Sequence, residues 1–275
     1  MSAAEDPDRR LAALFDATAG GHDDPALRFY PFCADVMADR LGLQAGARVL
    51  DVATGTGAAA VAAAQRIEPG GRVMAIDASE AMLDRAEANV RKMALSNVDL
   101  HHMDARRLDF RGGYFDDVLC SLALFYMPDM VAALADWMRV LKPGGRLAVA
   151  LFAGGVFQPQ ADLLRRRLRE CGCGDDEPQW GRVSTVEQCR ALLQSAGAED
   201  IQVEPVQVGY HLATADDWWA VVWNSVLRLP LDRLPRERLE ALREAHLAEV
   251  AALASERGIW LDVPVLLGSA RRPPA

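Results

Sequence analysis

Two acidic residues and two glycines are the strongest candidates for a ligand-binding site in this 275-residue sequence. Gly55 and Gly57 follow a short apolar run, where a predicted strand turns sharply into a helix and a ligand can approach the bare backbone. Asp77 stands twenty residues after Gly57, at the end of the next apolar run. A carboxylate there can accept hydrogen bonds from both hydroxyls of a ribose. This arrangement predicts a ligand that contains a nucleoside.

A third acidic residue, Asp51, separates two classes of nucleoside ligand. The spacing of Gly55, Gly57 and Ala60 also fits the loose dinucleotide fingerprint, so the glycines alone leave NAD open. Asp51 ends the first predicted strand, where a carboxylate would repel a pyrophosphate but attract a ligand that carries an ammonium and a sulfonium. The charge argument favours S-adenosylmethionine (SAM). The alternative is that Asp51 only bonds amides of the loop.

Strand and helix patterns alternate through the middle of the chain. Short apolar runs separated by helical periodicity are typical of a parallel sheet covered by helices. An alternating run over 201–211, with a partner over 263–271, would extend this sheet. We therefore expect an α/β fold with a mainly parallel sheet, helices on both faces and a helical cap. The first five strands are predicted over 48–53, 72–77, 98–102, 115–121 and 146–152.

The same patterns predict how the chain is divided. The central unit is a SAM-binding core with a lid insertion at about 154–182. Because the cap is inserted before the last strand, we expect it beside the ligand-binding end of the sheet. The expected units are an N-terminal helical segment over 1–44, the core over 45–212, the substrate cap over 213–258, and the last core strand and tail over 259–275.

Composition restricts the partners and the compartment. The formal net charge of −9 disfavours tight binding to nucleic acid, which needs a basic surface. Five scattered cysteines do not form a disulfide framework, and Cys171 and Cys173 lack companions for a metal site. No signal peptide or membrane-spanning run is evident. We expect a cytoplasmic protein with a small-molecule substrate and no metal, and a homodimer is compatible with the sequence.

Three ordered motifs carry a family resemblance. They are Val49-Leu-Asp-Val-Ala-Thr-Gly-Thr-Gly57, Ala75-Ile-Asp-Ala-Ser-Glu-Ala-Met-Leu83 and Leu141-Lys-Pro-Gly-Gly145. Together they resemble class I SAM-dependent methyltransferases, notably the ubiquinone/menaquinone-biosynthesis-like group. The resemblance implies a Rossmann-like sheet that is mainly parallel with an antiparallel last strand. The resemblance is clear over about 45–150. It departs from the family pattern at Ala53, where a glycine is frequent.

The resemblance implies a set of cofactor contacts. Asp77 would hold the ribose, and Tyr30 would lie near the methionine carboxylate. Two of these residues could have a purely structural role instead of contacting the cofactor. Met82 could be part of the hydrophobic core, and Asp104 could cap the next turn. Thr54 and Ser121 complete the cofactor-binding set. The methionine portion would contact Asp51, Ala53, Gly55 and Gly57, and the adenine would contact Ala78, Met82, Asp104 and Ala105.

In the family that this sequence resembles, the loop at 121–127 lies across from the activated methyl group. It lacks the N-P-P-Y type of sequence used on nucleic-acid bases, which favours C- or O-methylation of a small molecule. Aromatic residues suggest an apolar or aromatic acceptor, although such residues more often form core. The predicted substrate contacts are Phe125, Trp180, Trp219 and Trp223.

The catalytic residues are less defined. An in-line methyl transfer needs mainly a well-positioned nucleophile, so a dedicated base is optional. His22 and His211 are weak candidates for one. Two alternatives stay open: a SAM-binding protein of this fold with a non-methylating reaction, and an NAD-dependent oxidoreductase, which lacks an evident Tyr-x-x-x-Lys pair.

Overall fold

A computed structural model describes residues 7–173 and 179–274. The helices of this part are α1 (Pro7–Thr18), α2 (Phe29–Leu41), α3 (Ala58–Arg66), α4 (Glu80–Lys92), α5 (Met130–Val140), α6 (Gln160–Glu170), α7 (Val186–Ser195), α8 (Ala215–Trp223) and α9 (Arg236–Ala251). The strands are β1 (Arg48–Val52), β2 (Arg72–Asp77), β3 (Val98–His102), β4 (Phe115–Ser121), β5 (Leu141–Phe152), β6 (Glu199–Gln207), β7 (Tyr210–Leu212), β8 (Ile259–Leu261) and β9 (Pro264–Arg271).

Seven strands form the central sheet in the order β3-β2-β1-β4-β5-β9-β6. The first five pair in parallel, and β9 runs antiparallel to both β5 and β6. The predicted fold class is therefore confirmed. The strand order reverses between β1 and β4. Right-handed crossovers consequently place α3 and α5 on opposite faces of the sheet.

The strand predicted over 201–211 is divided in the structure. Its first part, β6, pairs with β9, but β7 leaves the central sheet and pairs with β8. At the break, Oε1 of the Gln207 side chain accepts from the backbone N–H groups of Gly209 and Val263. Gly209 is needed here, since a Cβ at this position would lie 2.5 Å from the carbonyl oxygen of Leu261. The last core strand, β9, begins at Pro264, one residue after the start of the strand predicted over 263–271.

The N-terminal segment and the C-terminal helices lie against each other. Helix α8 contacts the turn Pro25–Leu27 and α9, and α9 packs on α6. The division of the chain into units stays a prediction, and part of the predicted lid insertion, 174–178, lies outside the described residues. Among the described helices, none is both long and apolar enough to cross a membrane.

The packing of the cap predicts a loss of stability in acid. His246 is fully buried, and its Nε2 accepts a 2.7 Å hydrogen bond from Trp218 Nε1. Burial lowers the pKa of His246 from 6.5 to about 4. Between these values the unfolded chain binds a proton that the native chain excludes, so stability falls as pH falls from 6.5 towards 4. On going from pH 7.5 to 4.5, we expect this residue to cost about 2–3 kcal/mol.

Urea unfolding at the two pH values measures this effect. His246→Gln keeps an acceptor for Trp218 but does not titrate, so it isolates the contribution of the imidazole from that of the buried carboxylates. We expect the variant to lose less stability than the wild type by the amount stated above. Equal losses would contradict the assignment to His246.

Candidate active site

A cavity lies at the carboxyl ends of β1, β2 and β4, where the strand order reverses. Asp51, Asp77 and Ser121 reach it from these three strands. Ligands of open α/β sheets bind at such a switch point. Every residue predicted from the sequence to bind the cofactor lines this cavity except Gly57. Contact between these residues and a cofactor stays a prediction.

The loop after β1 exposes its backbone to the cavity. Ala53 and Gly55 both have left-handed conformations, with φ of 54° and 56°. An L-residue in this region is strained, which explains why glycine is frequent at the position of Ala53 in the related family. The backbone N–H of Thr54 donates to the carbonyl of Ile76, and this bond ties the loop to the end of β2. The loop is thus held in an open conformation beside the cavity.

Gly57 does not line the cavity, and its role is to allow the backbone conformation of the loop. Its φ is 89°, and a Cβ there would lie 3.2 Å from the Cβ of Ala86 on α4. We expect Gly57→Ala to lower the free energy of unfolding by about 1–2 kcal/mol. Ala53→Gly is the matched variant, because it removes a strained Cβ from the same loop and should not destabilise the protein. Chemical denaturation measures both, and a neutral Gly57→Ala would contradict this role.

Asp51 lines the cavity, and its carboxylate group is buried. Its Oδ2 accepts a 2.5 Å hydrogen bond from Thr54 Oγ1, whereas its buried Oδ1 has no partner among the described residues. Burial raises the pKa of this carboxyl group to about 7, and the hydrogen bond from Thr54 opposes the rise. An unpaired buried carboxylate is costly. A cationic ligand at Oδ1 would remove that cost.

Asp77 orders the backbone around the cavity. Its Oδ2 accepts from the N–H of Gly55 at 2.8 Å, and its Oδ1 accepts from the N–H of Ser79 at 2.9 Å. Burial raises the pKa of this carboxyl group. Each oxygen has a further lone pair, so the carboxylate can also accept from two ligand hydroxyls. Asp77 therefore joins the glycine loop, the start of α4 and the predicted ribose position.

The predicted adenine end is partly apolar and partly an ion pair. Met82 is buried on α4, and Ala78 and Ala105 lie at the same end of the cavity. Asp104 is exposed and forms a salt bridge of 2.8 Å with Arg106, which lowers the pKa of its carboxyl group. Its carboxylate is thus shared with an arginine that also lines the cavity.

The other half of the cavity is apolar and is built from α1 and the loop after β4. Phe15 of α1 packs edge-on against Tyr126, with ring centroids 5.3 Å apart. A hydrogen bond of 2.6 Å from Ser79 Oγ to Asp16 fastens α1 beside α4. The remaining apolar lining comes from Leu11, Ala12, Leu122, Ala123, Met127 and Pro128.

His22 and Tyr30 form an aromatic pair in the cavity wall. Their rings stack with centroids 4.3 Å apart, and both line the cavity. Burial lowers the pKa of His22 to about 4, and it raises the pKa of Tyr30 above its ordinary value. Of the two candidate bases, His22 lies in the cavity. His211 does not: it lies on β7 and packs against Trp260, with ring centroids 5.0 Å apart.

The four predicted substrate contacts do not line the cavity. Phe125 is fully buried and stacks on Phe152, and Trp180 packs edge-on against Phe152 and Phe157. The short turn Leu124–Tyr126 is the reason for the first displacement. It directs Phe125 into the core and leaves the next residue, Tyr126, at the cavity.

The cap tryptophans pack within the cap. Trp219 and Trp223, four residues apart on α8, stack on each other with ring centroids 6.3 Å apart. Arg243 lies over the ring of Trp219, and Arg228 lies over that of Trp223. The apolar surfaces of both tryptophans are thus covered by residues of the cap. The substrate contacts predicted for Trp219 and Trp223 find no support in the structure.

The sequence interpretation missed the residues of α1. Leu11, Ala12 and Phe15 line the cavity, and their spacing is that of one helix face. This spacing is the sequence signal that indicates a buried face of α1. Arg106 and Tyr126 were also missed as lining residues, although both stand beside predicted ones.

The lining fits SAM. The unpartnered Oδ1 of Asp51 suits an ammonium, and the open loop at Gly55 leaves room for the chain that carries it. No group of three side chains suited to a metal ion occurs in 7–173 or 179–274. Fold and cavity together define a Rossmann-like protein with a site for a cationic nucleoside.

Comparisons with known proteins identify the family. Residues 49–145 match the model of a methyltransferase domain. Aklanonic acid methyltransferase DauC from Streptomyces sp. (strain C5) is 30% identical over 151 residues, which are 54% of this chain and 69% of that protein. The chain belongs to the class I SAM-dependent methyltransferases, as predicted, and SAM is the cofactor of this family.

Two further relatives match a smaller share of their own length. Nocamycin O-methyltransferase from Saccharothrix syringae is 33% identical over 50% of this chain and 49% of that protein. Demethylmenaquinone methyltransferase from Geobacillus kaustophilus is 41% identical over 40% of this chain and 47% of that protein. The chain thus spans about half the length of these two relatives.

Solved structures share the fold. The YcgJ protein from Bacillus subtilis has a TM-score of 0.61 and 20% identity, and the match covers 89% of this chain and 99% of that one. The [4+2]-cyclase SpnF has a TM-score of 0.57 and 24% identity, and the match covers 89% and 81%. A fold shared with a cyclase does not define the reaction.

Proposed function

We propose that this protein transfers the methyl group of SAM to a small molecule with an apolar, planar body. The observation that carries the proposal is the division of one cavity into two halves of different chemistry. At one end, the unpartnered oxygen of Asp51 and the carboxylate of Asp77 suit a cationic nucleoside. At the other end, Phe15, Met127 and Pro128 offer an apolar surface.

The relatives support this proposal. Nocamycin O-methyltransferase, aklanonic acid methyltransferase and demethylmenaquinone methyltransferase are named for small-molecule reactions. The bound cofactor supplies an electrophilic methyl group. The residues of this chain bind and orient the two partners and exclude water, so the reacting atoms are held in line.

A screen for demethylated cofactor tests the proposal. The purified protein is incubated with SAM and with phenols, quinones, carboxylic acids, amines and thiols, each attached to a planar aromatic body. We expect S-adenosylhomocysteine to form with at least one oxygen or carbon acceptor and not with the Asp77→Ala variant. Cofactor binding without product from any acceptor would favour a non-methylating reaction on the same fold.

We also propose that the protein works in the cytoplasm. Its five cysteines are unpaired, which suits a reducing compartment. A homodimer stays a prediction, and sedimentation of the purified protein decides between a dimer and a monomer.

A further inference from the structure

Two phenol groups of the cavity have no protein partner. Tyr30 and Tyr126 both line it, and neither hydroxyl bonds to any residue that the structure describes. The two side chains are close enough to affect each other electrostatically, and Tyr126 packs against Phe15 of the apolar half. Both side chains are half-buried, so their hydroxyls are open to whatever fills the cavity. The occupant of the cavity is therefore the natural partner of these hydroxyls.

Both phenols act as hydrogen-bond donors at neutral pH. Burial is the main cause that raises the pKa of Tyr30 and of Tyr126 above the ordinary tyrosine value. Neither phenolate forms under these conditions, so neither side chain removes a proton from an acceptor. Each hydroxyl can instead donate a hydrogen bond to an oxygen of the acceptor.

The other titratable groups of the cavity are also poorly suited to act as a base. The pKa of His22 is lowered to about 4, so proton removal by its imidazole from a phenol of pKa about 10 is uphill by about six orders of magnitude. Asp51 is a stronger base, but it lies at the cofactor end and bonds to Thr54. Asp77 lies at the same end and accepts from the backbone N–H groups of Gly55 and Ser79. Asp104 is paired with Arg106.

Resting on the proposed function, we infer that the acceptor carries an oxyanion before it enters the site, and that Tyr30 and Tyr126 hold that oxyanion. Tyr30 then serves the acceptor instead of the methionine carboxylate that the family resemblance implied. A carboxylate and the conjugate base of an acidic enol share this chemistry. Two neutral donors suit such a group because hydrogen bonds to an ionised acceptor are about twice as strong as neutral ones. Tyr30 and Tyr126 then select the acceptor by its charge as well as by its shape.

The transfer needs no base when the acceptor is ionised. A lone pair of the acceptor oxygen forms the new O–C bond while the C–S bond breaks, and its electron pair stays on sulfur. The negative charge of the acceptor and the positive charge of the sulfonium cancel. No proton is released, so the poor basicity of His22 is no obstacle.

Binding of matched probes to the protein saturated with S-adenosylhomocysteine tests this inference without relying on turnover. The probes are anthraquinone carboxylic acid, its carboxamide, and a hydroxynaphthoquinone whose enol is ionised at neutral pH. We expect at least one acid to bind about tenfold or more tightly than the carboxamide. Preference for the carboxylic acid or for the enol identifies the source of the oxyanion.

Variants assign the preference to the two phenols. Tyr30→Phe and Tyr126→Phe should each weaken binding of the preferred acid about tenfold, and should weaken binding of the carboxamide, which accepts only a neutral hydrogen bond, by a clearly smaller factor. Tyr114→Phe is the matched control, because Tyr114 packs edge-on against Phe115 and does not line the cavity. A carboxamide that binds as tightly as the acids, or failure of both acids to bind, would overturn the inference. Methylation of a neutral naphthol or amine in preference to both acids would also overturn it, while leaving the proposed methyltransferase activity intact.

Discussion

Replacement of Asp77 by alanine is expected to weaken binding of S-adenosylhomocysteine by at least about 100-fold. We predict that the carboxylate accepts from two ribose hydroxyls, and each hydrogen bond to a charged group contributes about 1.5–3 kcal/mol. The same change removes the acceptor for the N–H groups of Gly55 and Ser79, so the loop also loses its support. Titration calorimetry measures the loss.

Two variants separate recognition from damage to the loop. Asp77→Asn keeps one acceptor oxygen, so it should support the loop in part and give an intermediate affinity. Asp104→Ala removes a carboxylate that is already paired with Arg106, and we expect it to change the affinity by less than about tenfold. If Asp77→Ala bound S-adenosylhomocysteine within threefold of the wild type, while keeping its fold by circular dichroism, the assigned role would be wrong.

The pH dependence of cofactor binding is the second large effect. Burial raises the pKa of Asp51 in the free protein to about 7. An ammonium at Oδ1 lowers that pKa, because an opposite charge favours the ionised carboxylate. Affinity is therefore full above pH 7 and falls by about tenfold per pH unit below it, until the pKa of the complex is reached. Protons are released on binding in this range.

Calorimetry with S-adenosylhomocysteine between pH 5.5 and 8, in buffers of different ionisation enthalpy, measures both quantities. Asp51→Asn should flatten the profile and abolish proton release, and at pH 8 it should bind at least about tenfold more weakly than the wild type. Because His22 has a pKa of about 4, its titration lies below this range. A profile that kept its slope in Asp51→Asn would assign the titration to another group.

The cofactor half of the site could be predicted because its information is local. Asp51, Gly55 and Asp77 lie at strand ends and turns, where residue type determines backbone conformation and hydrogen bonding directly. Topology then brings these strand ends together, since parallel strands present their carboxyl ends at one edge. Their convergence on one cavity follows from the alternating pattern alone.

The acceptor half could not be predicted because it depends on packing between distant segments. Whether Phe125 or Tyr126 reaches the cavity is decided by the rotation of one short turn. The use of Trp219 inside the cap is decided by its stacking on Trp223 and by Arg243. Amphipathic periodicity identifies a buried face but does not say what it packs against.

The position of helix α1 at the cavity could not be predicted from the sequence either. Its apolar residues predict that one face is buried, yet their place at a ligand cavity depends on contacts with α4 and with the loop after β4. The Asp16 bond to Ser79 joins positions 63 residues apart. Sequence patterns of one segment do not contain such a pairing.

A crystal structure of the complex with S-adenosylhomocysteine tests the central claim most directly. The account predicts that the ligand ammonium lies within hydrogen-bond distance of Asp51 Oδ1 and that both ribose hydroxyls donate to Asp77. It also predicts that the sulfur faces the apolar half near Tyr126. A ligand bound elsewhere, or one bound in this cavity with its ammonium away from Asp51, would contradict it.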